Sequence, residues 1–275
     1  MTTEFAGQVA LITGAASGIG RATARLLAAR GVSQLALVDR DEAALAAVTS
    51  ELGTMDVVSV PIVADLADTS ACASLVADVL QETGQIDIAV NSAATVRPST
   101  PVVEYETSVF AEDLDVNLTA GFVIARDVAR HLVSASSPGS IVFVASINAQ
   151  GAGAGSSGYC ASKAGVLGLM WVMAAELGVH GIRVNAVSPG PTDTPRSVKR
   201  VGEERMRKLR QEFSGAPLGR LATPDDIAEG IAYLCSDRAA YVTGHDLVID
   251  GGLTASVYST GSPTEPSKED AVAVD

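Results

Sequence analysis

The chain has 275 residues, of which 47% are hydrophobic, 19% charged and 4% aromatic. A chain of this length and composition can bury a core without disulfides or metals, which excludes collagen-like, disulfide-scaffold and wholly disordered proteins. Nineteen Lys and Arg against 32 Asp and Glu give a net charge of −13. Because nucleic-acid binding needs a basic surface, we expect no nucleic-acid partner.

Cysteine, histidine and hydropathy patterns give further exclusions. The three cysteines lie far apart without CxxC spacing, and the three histidines do not pair at metal-ligand spacing, so we expect free thiols in a reducing compartment and no metal. The N-terminus has an acidic residue before a short apolar run, which favours a first strand over a signal peptide. No uninterrupted apolar run approaches eighteen residues. We therefore expect a cytoplasmic protein with no membrane partner.

Short apolar runs alternate with longer amphipathic runs along the chain, which is typical of β-α units around a parallel sheet. The predicted strands are Val9–Thr13, Leu35–Val38, Val57–Val63, Ile86–Val90, Ser140–Ala145, Arg183–Val187 and Leu247–Ile249. The predicted helices are Gly20–Ala29, Glu42–Leu52, Ala71–Glu82, Phe110–Val133, Gly158–Gly178 and Asp225–Leu234. Several strands are continuous apolar runs, as expected for strands covered on both faces. The sequence predicts an α/β fold of three layers, Rossmann-type, with a doubly wound and mostly parallel sheet.

Two stretches interrupt this alternation. The connection from Ser188 to Ser214 is long and begins Ser-Pro-Gly-Pro, and connections of that length are usually functional lids or disordered segments. The last residues, 261–275, are rich in Gly, Pro, Ser and acids, which predicts a flexible acidic tail. We expect a single domain over residues 1–260, with a lid at about residues 191–215.

A glycine-rich turn follows the first predicted strand and leads directly into a helix. It reads Thr-Gly-Ala-Ala-Ser-Gly-Ile-Gly over residues 13–20, a G-xxx-G-x-G spacing that differs from the common G-x-G-x-x-G. Free backbone N–H groups and the positive end of a helix dipole at such a turn favour an anion, and glycines let a pyrophosphate approach closely. The candidate phosphate-binding residues are Gly14, Ser17, Gly18, Ile19 and Gly20.

Asp39 lies at the end of the second predicted strand, nineteen residues beyond Gly20. A carboxylate at this position accepts hydrogen bonds from the ribose hydroxyls of a bound dinucleotide. Its charge would repel a 2′-phosphate, which favours NAD over NADP. Arg40 follows directly and offers a cation for that phosphate, so NADP stays open.

Tyr159 and Lys163 are four residues apart, which places both on one face of a predicted helix. Ser146 ends a predicted strand thirteen residues before Tyr159. An ammonium close to a phenol stabilises the phenolate and lowers its pKa from about 10. Such a phenolate takes the hydroxyl proton of an alcohol while hydride leaves the carbon. The hydroxyl of Ser146 is placed to hold the substrate oxygen.

These motifs together resemble the short-chain dehydrogenase/reductase family over residues about 5 to 255. The turn at residues 13–20 matches the TGxxxGxG of the family, and Ser146, Tyr159 and Lys163 match its catalytic Ser and YxxxK. The resemblance implies that Asn117 completes a catalytic tetrad by supporting a water-linked proton relay. It also implies that Tyr159 and Lys163 contact the cofactor as well as taking part in catalysis.

The resemblance implies further cofactor contacts at the ends of later strands. Contacts to the adenosine are implied for Asp65, Leu66, Asn91 and Ala93, and contacts to the nicotinamide carboxamide for Pro189, Gly190, Thr192 and Thr194. One motif departs from the family pattern, because the usual Asn-Asn-Ala-Gly reads Asn-Ser-Ala-Ala from Asn91. We expect this departure to alter the local turn rather than the proton-transfer residues.

The family membership implied by these residues predicts an NAD-dependent oxidoreductase that interconverts a secondary alcohol and a ketone. The expected partners are a small-molecule substrate and further copies of the chain in a homotetramer. Three alternatives remain open at this point. They are an NADPH-dependent carbonyl reductase of the same family, a non-catalytic NAD-binding sensor, and a lyase or epimerase that uses the same residues.

The candidate substrate contacts are Asn148, Gln150 and Thr95. The lid adds a second indication, because seven basic residues lie between Arg196 and Arg210 against only two glutamates. Such a segment either attracts an anionic substrate or is a solvated amphipathic helix that covers the pocket with its apolar stripe. The basic residues are Arg196, Lys199, Arg200, Arg205, Arg207, Lys208 and Arg210, and the stripe is Val201, Met206, Leu209 and Phe213.

Overall fold

The computed structural model describes residues 3–55, 57–95 and 97–255. Its sheet has seven strands in the order β3-β2-β1-β4-β5-β6-β7, and every neighbouring pair is parallel. The strands are β1 Val9–Thr13, β2 Gln34–Asp39, β3 Val58–Val63, β4 Ile88–Asn91, β5 Gly139–Val144, β6 Ile182–Pro189 and β7 Asp246–Ile249. The strand order reverses between β1 and β4, which is the switch point of a doubly wound sheet.

Helices cover both faces of this sheet. They are α1 Gly18–Ala29, α2 Glu42–Leu52, α3 Thr69–Thr83, α4 Thr107–Leu114, α5 Ala120–Ser134, α6 Ser157–Leu177, α7 Pro195–Val201, α8 Glu203–Glu212 and α9 Pro224–Cys235. Buried side chains of α3, α5 and α6 form one core against the sheet. Those of α1, α2 and α9 form a second core on the other face. The predicted three-layer, Rossmann-type fold is confirmed.

One predicted helix is divided. The sequence predicts a single helix over Phe110–Val133, but α4 ends at Leu114 and a π-helical turn, Asp115–Thr119, precedes α5. A π-helical turn inserts one extra residue per turn and so redirects the side chains that follow. Here the turn contains Asn117, which is buried. The hydrophobic periodicity alone did not reveal this interruption.

The long connection after β6 contains two short helices. Thr194 caps α7, and Gly202, at a φ of +84°, separates α7 from α8. The expected apolar stripe is therefore shared between two helices, and Met206 is its fully buried member. The predicted tail, 261–275, lies outside the described residues.

Among the described residues one helical segment, Ser157–His180, is long and apolar enough to cross a membrane by length and composition. It consists of α6 and the turn that follows it. Val166, Leu167, Met170 and Met173 on α6 pack into the core against the sheet. Packing inside the fold accounts for part of the apolar composition of this helix, and Trp171 and Val172 are exposed on its other side.

Candidate active site

The candidate site lies where the carboxyl ends of the central strands meet, at the switch point between β1 and β4. Parallel α/β sheets bind ligands in this crevice, because the loops that leave neighbouring strands diverge there. The glycine-rich turn leaves β1, Asn91 ends β4, Ser146 follows β5 and Pro189 ends β6. The sheet topology therefore brings four of the predicted motifs to one edge.

The glycine-rich turn has a geometry that only glycine allows. Gly14 and Gly18 have φ of +68° and +54°, in the left-handed region that disfavours a Cβ. A Cβ on Gly14 would lie 2.9 Å from the backbone of Ala93, and one on Gly20 would lie 2.2 Å from the oxygen of Gly14. The turn thus presents bare backbone at the N-terminus of α1, which fits a phosphate group.

Ser17 and Ile19 of this turn have different roles. Ser17 is the N-cap residue of α1, yet its side chain makes no capping hydrogen bond. Ile19, in the first turn of the helix, packs against the core below. The hydroxyl of Ser17 is consequently available to a ligand, whereas Ile19 anchors the helix start.

Asp39 connects the end of β2 to the glycine-rich turn. Its Oδ2 accepts a hydrogen bond from the backbone N–H of Ala16 at 3.0 Å, and its Oδ1 accepts one from Asp41 at 3.1 Å. Arg40 is exposed. The structure therefore brings the carboxylate to the turn, as the spacing predicts, and leaves the neighbouring guanidinium at the surface.

The adenosine side of the crevice is formed by the ends of β3 and β4. Asp65 is exposed, its Oδ1 accepts the N–H of Ala67 at 3.0 Å, and Leu66 beside it is buried. Asn91 is 8% exposed, and its Nδ2 donates to no described residue. A buried donor without a partner is costly, so this amide fits a site in which a ligand supplies the acceptor.

The departure from the family pattern after β4 leaves the turn anchored. Thr13 Oγ1 accepts hydrogen bonds from the backbone N–H groups of Ser92, at 3.1 Å, and Ala93, at 3.2 Å. These two bonds join the ends of β1 and β4 next to the glycine-rich turn. The backbone contacts do not depend on the side chains that differ.

The end of β6 is held close to the end of β7. Pro189 is buried, and Gly190 donates its N–H to the oxygen of Ile249 at 2.9 Å. Thr192 is nearly buried and donates to the oxygen of Gly190 at 2.9 Å. This stretch therefore forms a compact wall on the side of the crevice opposite the adenosine residues.

Thr194 joins the lid to the glycine-rich turn. Its Oγ1 accepts the N–H of Ser197 at 3.1 Å, which caps α7. Its methyl group is 3.4 Å from the position that a Cβ on Gly18 would take. The lid thus begins directly over the candidate phosphate site.

Lys163 lies beneath Tyr159 on α6. Its side chain is buried, and its Nζ donates to the oxygen of Val144 at 2.6 Å and lies 5.8 Å from the centre of the Tyr159 ring. Burial of the ammonium, together with the smaller effect of the nearby positive charge of Arg196, lowers the pKa of Lys163 to about 7. The amino group of Lys163 is therefore held next to the phenol in an environment that disfavours its charged form.

Ser146 is buried at the carboxyl end of β5. Its Oγ accepts the backbone N–H of Asn148 at 3.1 Å and caps a short 3₁₀ turn, Ile147–Ala149. That bond occupies an acceptor of the hydroxyl and leaves its proton to donate. The hydroxyl thus retains the donor function that a substrate oxygen requires.

Asn117 is linked to the α6 helix through its side chain. Its Oδ1 accepts the N–H of Thr95 at 2.6 Å, and its Nδ2 donates to Ser162 Oγ at 3.1 Å. Ser162 in turn donates to the backbone oxygen of Tyr159 at 2.8 Å. The π-helical turn that was absent from the sequence prediction is what aims Asn117 at α6.

Two of the three predicted substrate residues donate side-chain hydrogen bonds to carboxylates of the protein itself. Thr95 Oγ1 donates to Asp113 at 2.6 Å, and Gln150 Nε2 donates to Asp246 at 2.8 Å. Asn148 is half-buried beside Ser146. Of the three, Asn148 is the residue whose side chain stays next to the catalytic hydroxyl.

Sequence reasoning missed Asp113, a buried carboxylate of α4 that packs against the start of α6. It is 1% exposed and accepts hydrogen bonds from Tyr105 OH at 2.7 Å and Arg97 Nε at 3.3 Å. A Cβ on Gly158 would lie 2.6 Å from its Oδ2. Asp113 therefore fixes the segment that precedes Tyr159. No spacing in the sequence indicates it, since its partners come from other segments.

The comparisons with known proteins agree on the family. The family model described as "Enoyl-(Acyl carrier protein) reductase" matches residues 14–254. A cis-4-hydroxycyclohexanecarboxylate dehydrogenase of Sinomonas cyclohexanicum is 38% identical over 257 residues, covering 93% of this chain and all of that protein.

Two solved structures have the same fold. A short-chain type dehydrogenase/reductase of Mycobacterium marinum aligns with a TM-score of 0.84 at 34% identity, over 92% of this chain and 98% of that chain. A chain of Agrobacterium tumefaciens whose structure contains NADP aligns with a TM-score of 0.82 at 31% identity, over 93% and 100%. The chain is an oxidoreductase acting on alcohol or ketone groups and belongs to the short-chain dehydrogenase/reductase family.

Proposed function

We propose that the protein is an NAD-dependent dehydrogenase that interconverts a secondary alcohol and a ketone, with Tyr159 as the general acid/base. The observation that carries this proposal is the buried ammonium of Lys163 next to the ring of Tyr159. A positive charge held beside a phenol favours the phenolate. Few structural roles require an ammonium in such a place, because burying it costs free energy.

A bound nicotinamide cofactor supplies the hydride acceptor or donor. The chain offers it the glycine-rich turn for the pyrophosphate, Asp39 for the adenosine ribose and the unpaired amide of Asn91 for the adenosine side. The compact wall after β6 closes the opposite side. These features fit the cofactor that the family uses.

The proton pathway follows from the side chains at the end of β5 and on α6. In the oxidative direction the Tyr159 phenolate takes the proton of the substrate hydroxyl, and Ser146 donates a hydrogen bond to the substrate oxygen. Lys163 stabilises the phenolate electrostatically. Asn117, fixed between Thr95 and Ser162, holds α6 in register and supports proton exchange below Lys163.

The preference for NAD rests on Asp39. Its carboxylate lies at the glycine-rich turn, where a 2′-phosphate would meet a negative charge. We expect Asp39→Ala to lower the ratio of kcat/KM with NAD to that with NADP by about tenfold or more, since one close like-charge contact is worth at least ~1.4 kcal/mol. An unchanged ratio would show that Asp39 does not contact the ribose.

The test of the proposed function is the initial rate of cofactor reduction with NAD and with NADP across secondary alcohols. The panel includes cyclic, aromatic and hydroxy-acid members, because the Sinomonas relative is named for a hydroxycyclohexanecarboxylate. Turnover with NAD supports the proposal. Silence across the panel with NADH binding intact would favour the non-catalytic sensor.

A second candidate is an NADPH-dependent carbonyl reductase. It is favoured by the exposed Arg40 beside Asp39 and by the NADP in the Agrobacterium structure. Arg40→Gln separates the two candidates. If the guanidinium holds the 2′-phosphate, this substitution lowers activity with NADP and not with NAD. If it does not, the ratio of the two activities stays as in the wild type.

We also propose that the chain assembles as a homotetramer. Three large apolar side chains are exposed on α5 and α6, namely Phe122 at 40%, Trp171 at 55% and Val172 at 55%. Large apolar side chains exposed to solvent favour association. Light scattering after size exclusion tests this assembly, and a monomeric mass at micromolar concentration would contradict it.

A further inference from the structure

A narrow cleft lies beside Tyr159, between the segment after β4, α4, the start of α6 and α7. Its wall carries two guanidinium groups, from Arg97 and Arg200. The other lining residues are Pro98, Tyr105, Asp113, Gly155, Ser156 and Tyr159. The volume of the cleft is about 10 Å³, room for a group of about the size of one water molecule, and such a group meets both positive charges.

The two guanidinium groups of the cleft differ in their partners. Arg97 is paired with Glu112 at 2.5 Å and with Asp113 at 3.3 Å, and these contacts raise its pKa above its ordinary value, chiefly through the hydrogen bond to Glu112. Arg200 instead donates to a neutral hydroxyl, Ser156 Oγ, at 3.3 Å. The charge of Arg97 is thus neutralised by protein carboxylates, whereas that of Arg200 is not.

Arg196 precedes Arg200 by one helical turn on α7, so the two side chains share a face of that helix. It is half-buried and close to the proton-transfer residues. Its charge depresses the pKa of Lys163, and its own pKa is lowered by burial and raised in part by Tyr159. Among the described residues no carboxylate lies within ion-pair distance of Arg196 or Arg200.

This arrangement contrasts with the rest of the lid. Arg210 is paired with Asp193 at 2.7 Å and Glu203 at 2.8 Å, and Lys208 with Glu204 at 3.5 Å. The exposed residues of α8 therefore neutralise one another in part. On α7, by contrast, Arg200 donates to a neutral hydroxyl and lines the cleft.

We propose that Arg196 and Arg200 bind the carboxylate of a hydroxy-acid or oxo-acid substrate while its carbinol carbon lies at Tyr159. This inference rests on the proposed function and names its substrate class. A guanidinium offers paired N–H donors that match a carboxylate, and a guanidinium without a carboxylate partner gains more from an anion than one already paired. A neutral alcohol would leave both charges without a partner.

The same guanidinium chemistry also suits the phosphates of a dinucleotide. Thr194 places the start of α7 over the glycine-rich turn, so a phosphate is the alternative source of the anion. The two sources are distinguished by what changes when the guanidinium charge is removed. If the charge binds a substrate carboxylate, the preference for acid over neutral substrates falls. If it binds a cofactor phosphate, the affinity for NADH falls.

The experiment compares 4-hydroxycyclohexanecarboxylate with its primary carboxamide, which has the same shape and no charge. The measured quantity is the ratio of kcat/KM for the acid to that for the amide, with NADH affinity followed by fluorescence. We expect Arg196→Gln and Arg200→Gln each to lower this ratio by about tenfold to a hundredfold, as for loss of a charged hydrogen bond. The Kd of NADH should change less than threefold.

Arg207→Gln is the matched control. Arg207 is an exposed arginine of α8, on the same lid and of the same charge, but away from the cleft lining. We expect the acid-to-amide ratio of kcat/KM in Arg207→Gln to equal that of the wild type. If it falls as far as in Arg200→Gln, general attraction by the basic lid explains the effect and the specific site is contradicted.

Two further outcomes overturn the inference without affecting the proposed function. In the first, the wild type turns over acid and amide equally well and the α7 variants do not change the ratio. In the second, the variants raise the Kd of NADH tenfold while the ratio stays constant, which assigns the guanidinium groups to the cofactor. Absence of turnover with every neutral and acidic alcohol would instead contradict the proposed function itself.

Discussion

The glycine-rich turn and the cleft beside Tyr159 form opposite ends of the candidate site and are built in different ways. The turn is eight consecutive residues, and its shape depends on backbone conformation and the absence of side chains. The cleft is assembled from segments after β4, in α4, at the start of α6 and in α7, which ion pairs and hydrogen bonds hold together.

This difference indicates what each end can tolerate. A site made of backbone admits almost no change at its glycines but is indifferent to most other residues. A site made of paired side chains admits substitution more readily, and each substitution changes what the pocket binds. We therefore expect cofactor binding to tolerate fewer substitutions than substrate choice does.

Replacement of Gly20 by Ala should give the largest effect and tests the backbone end. The new Cβ would lie 2.2 Å from the oxygen of Gly14, so the turn must move away from its phosphate-binding geometry. We expect the Kd of NADH to rise more than about a hundredfold, equivalent to more than ~2.7 kcal/mol. Fluorescence titration measures it.

Gly168→Ala is the control for this prediction. Gly168 lies inside α6, and a Cβ there has nothing within 4 Å. Alanine should leave NADH binding unchanged and raise helix stability by up to ~1 kcal/mol. Equal NADH affinity in both variants would contradict the backbone account of the turn.

Asp113→Asn tests the side-chain end. The carboxylate is buried and accepts hydrogen bonds from Thr95, Tyr105 and Arg97, and an amide leaves at least one of these donors without an acceptor. We expect the free energy of unfolding to fall by about 2–4 kcal/mol. Denaturant unfolding measures the loss.

The control is Glu112→Gln, which removes the exposed carboxylate paired with Arg97. Exposed ion pairs contribute about 0–1 kcal/mol, so the loss should be much smaller. If both variants lose the same stability, Asp113 is not the anchor of this region.

The pH dependence of stability gives the smallest and most specific effect. The pKa of Lys163 is about 7 in the folded protein, against an ordinary value of 10.5. Between these pH values the unfolded chain therefore binds one proton more than the folded protein does. The stability of the wild type relative to Lys163→Met should therefore rise with pH, by about 1.4 kcal/mol per unit between pH 7 and 10, and be constant below pH 7.

Urea unfolding of cofactor-free protein at pH 6, 7, 8 and 9 measures this difference. Other titrating groups are common to both proteins and cancel. A difference that does not change between pH 7 and 9 would show that Lys163 keeps an ordinary pKa in the folded state.

The part of this architecture that local sequence determines was predictable. The limits of β1 and α2 agree with the prediction residue for residue, because continuous apolar runs and end signals define them. The glycine-rich turn and Asp39 were also predictable, since a fixed spacing along the chain brings them together at the edge of a parallel sheet.

Other features were not predictable because their cause lies in the tertiary structure. The π-helical turn at Asn117 interrupts a continuous helical pattern, and Asp113 gains its role from partners in other segments. Gln150 lies four residues after Ser146 in sequence, but its side chain donates a hydrogen bond to Asp246 at the start of β7. Proximity along the chain did not predict proximity to the reacting atoms.

The most direct test of the account is Tyr159→Phe, measured as kcat with NAD on the best alcohol and as the Kd of NADH. Removal of one hydroxyl should lower kcat by about 10²–10⁴, the usual contribution of a general acid/base. The Kd of NADH should stay within threefold of the wild type, because the turn that holds the phosphates is unchanged. Retained turnover in this variant would contradict the assignment of Tyr159 as the proton-transfer residue.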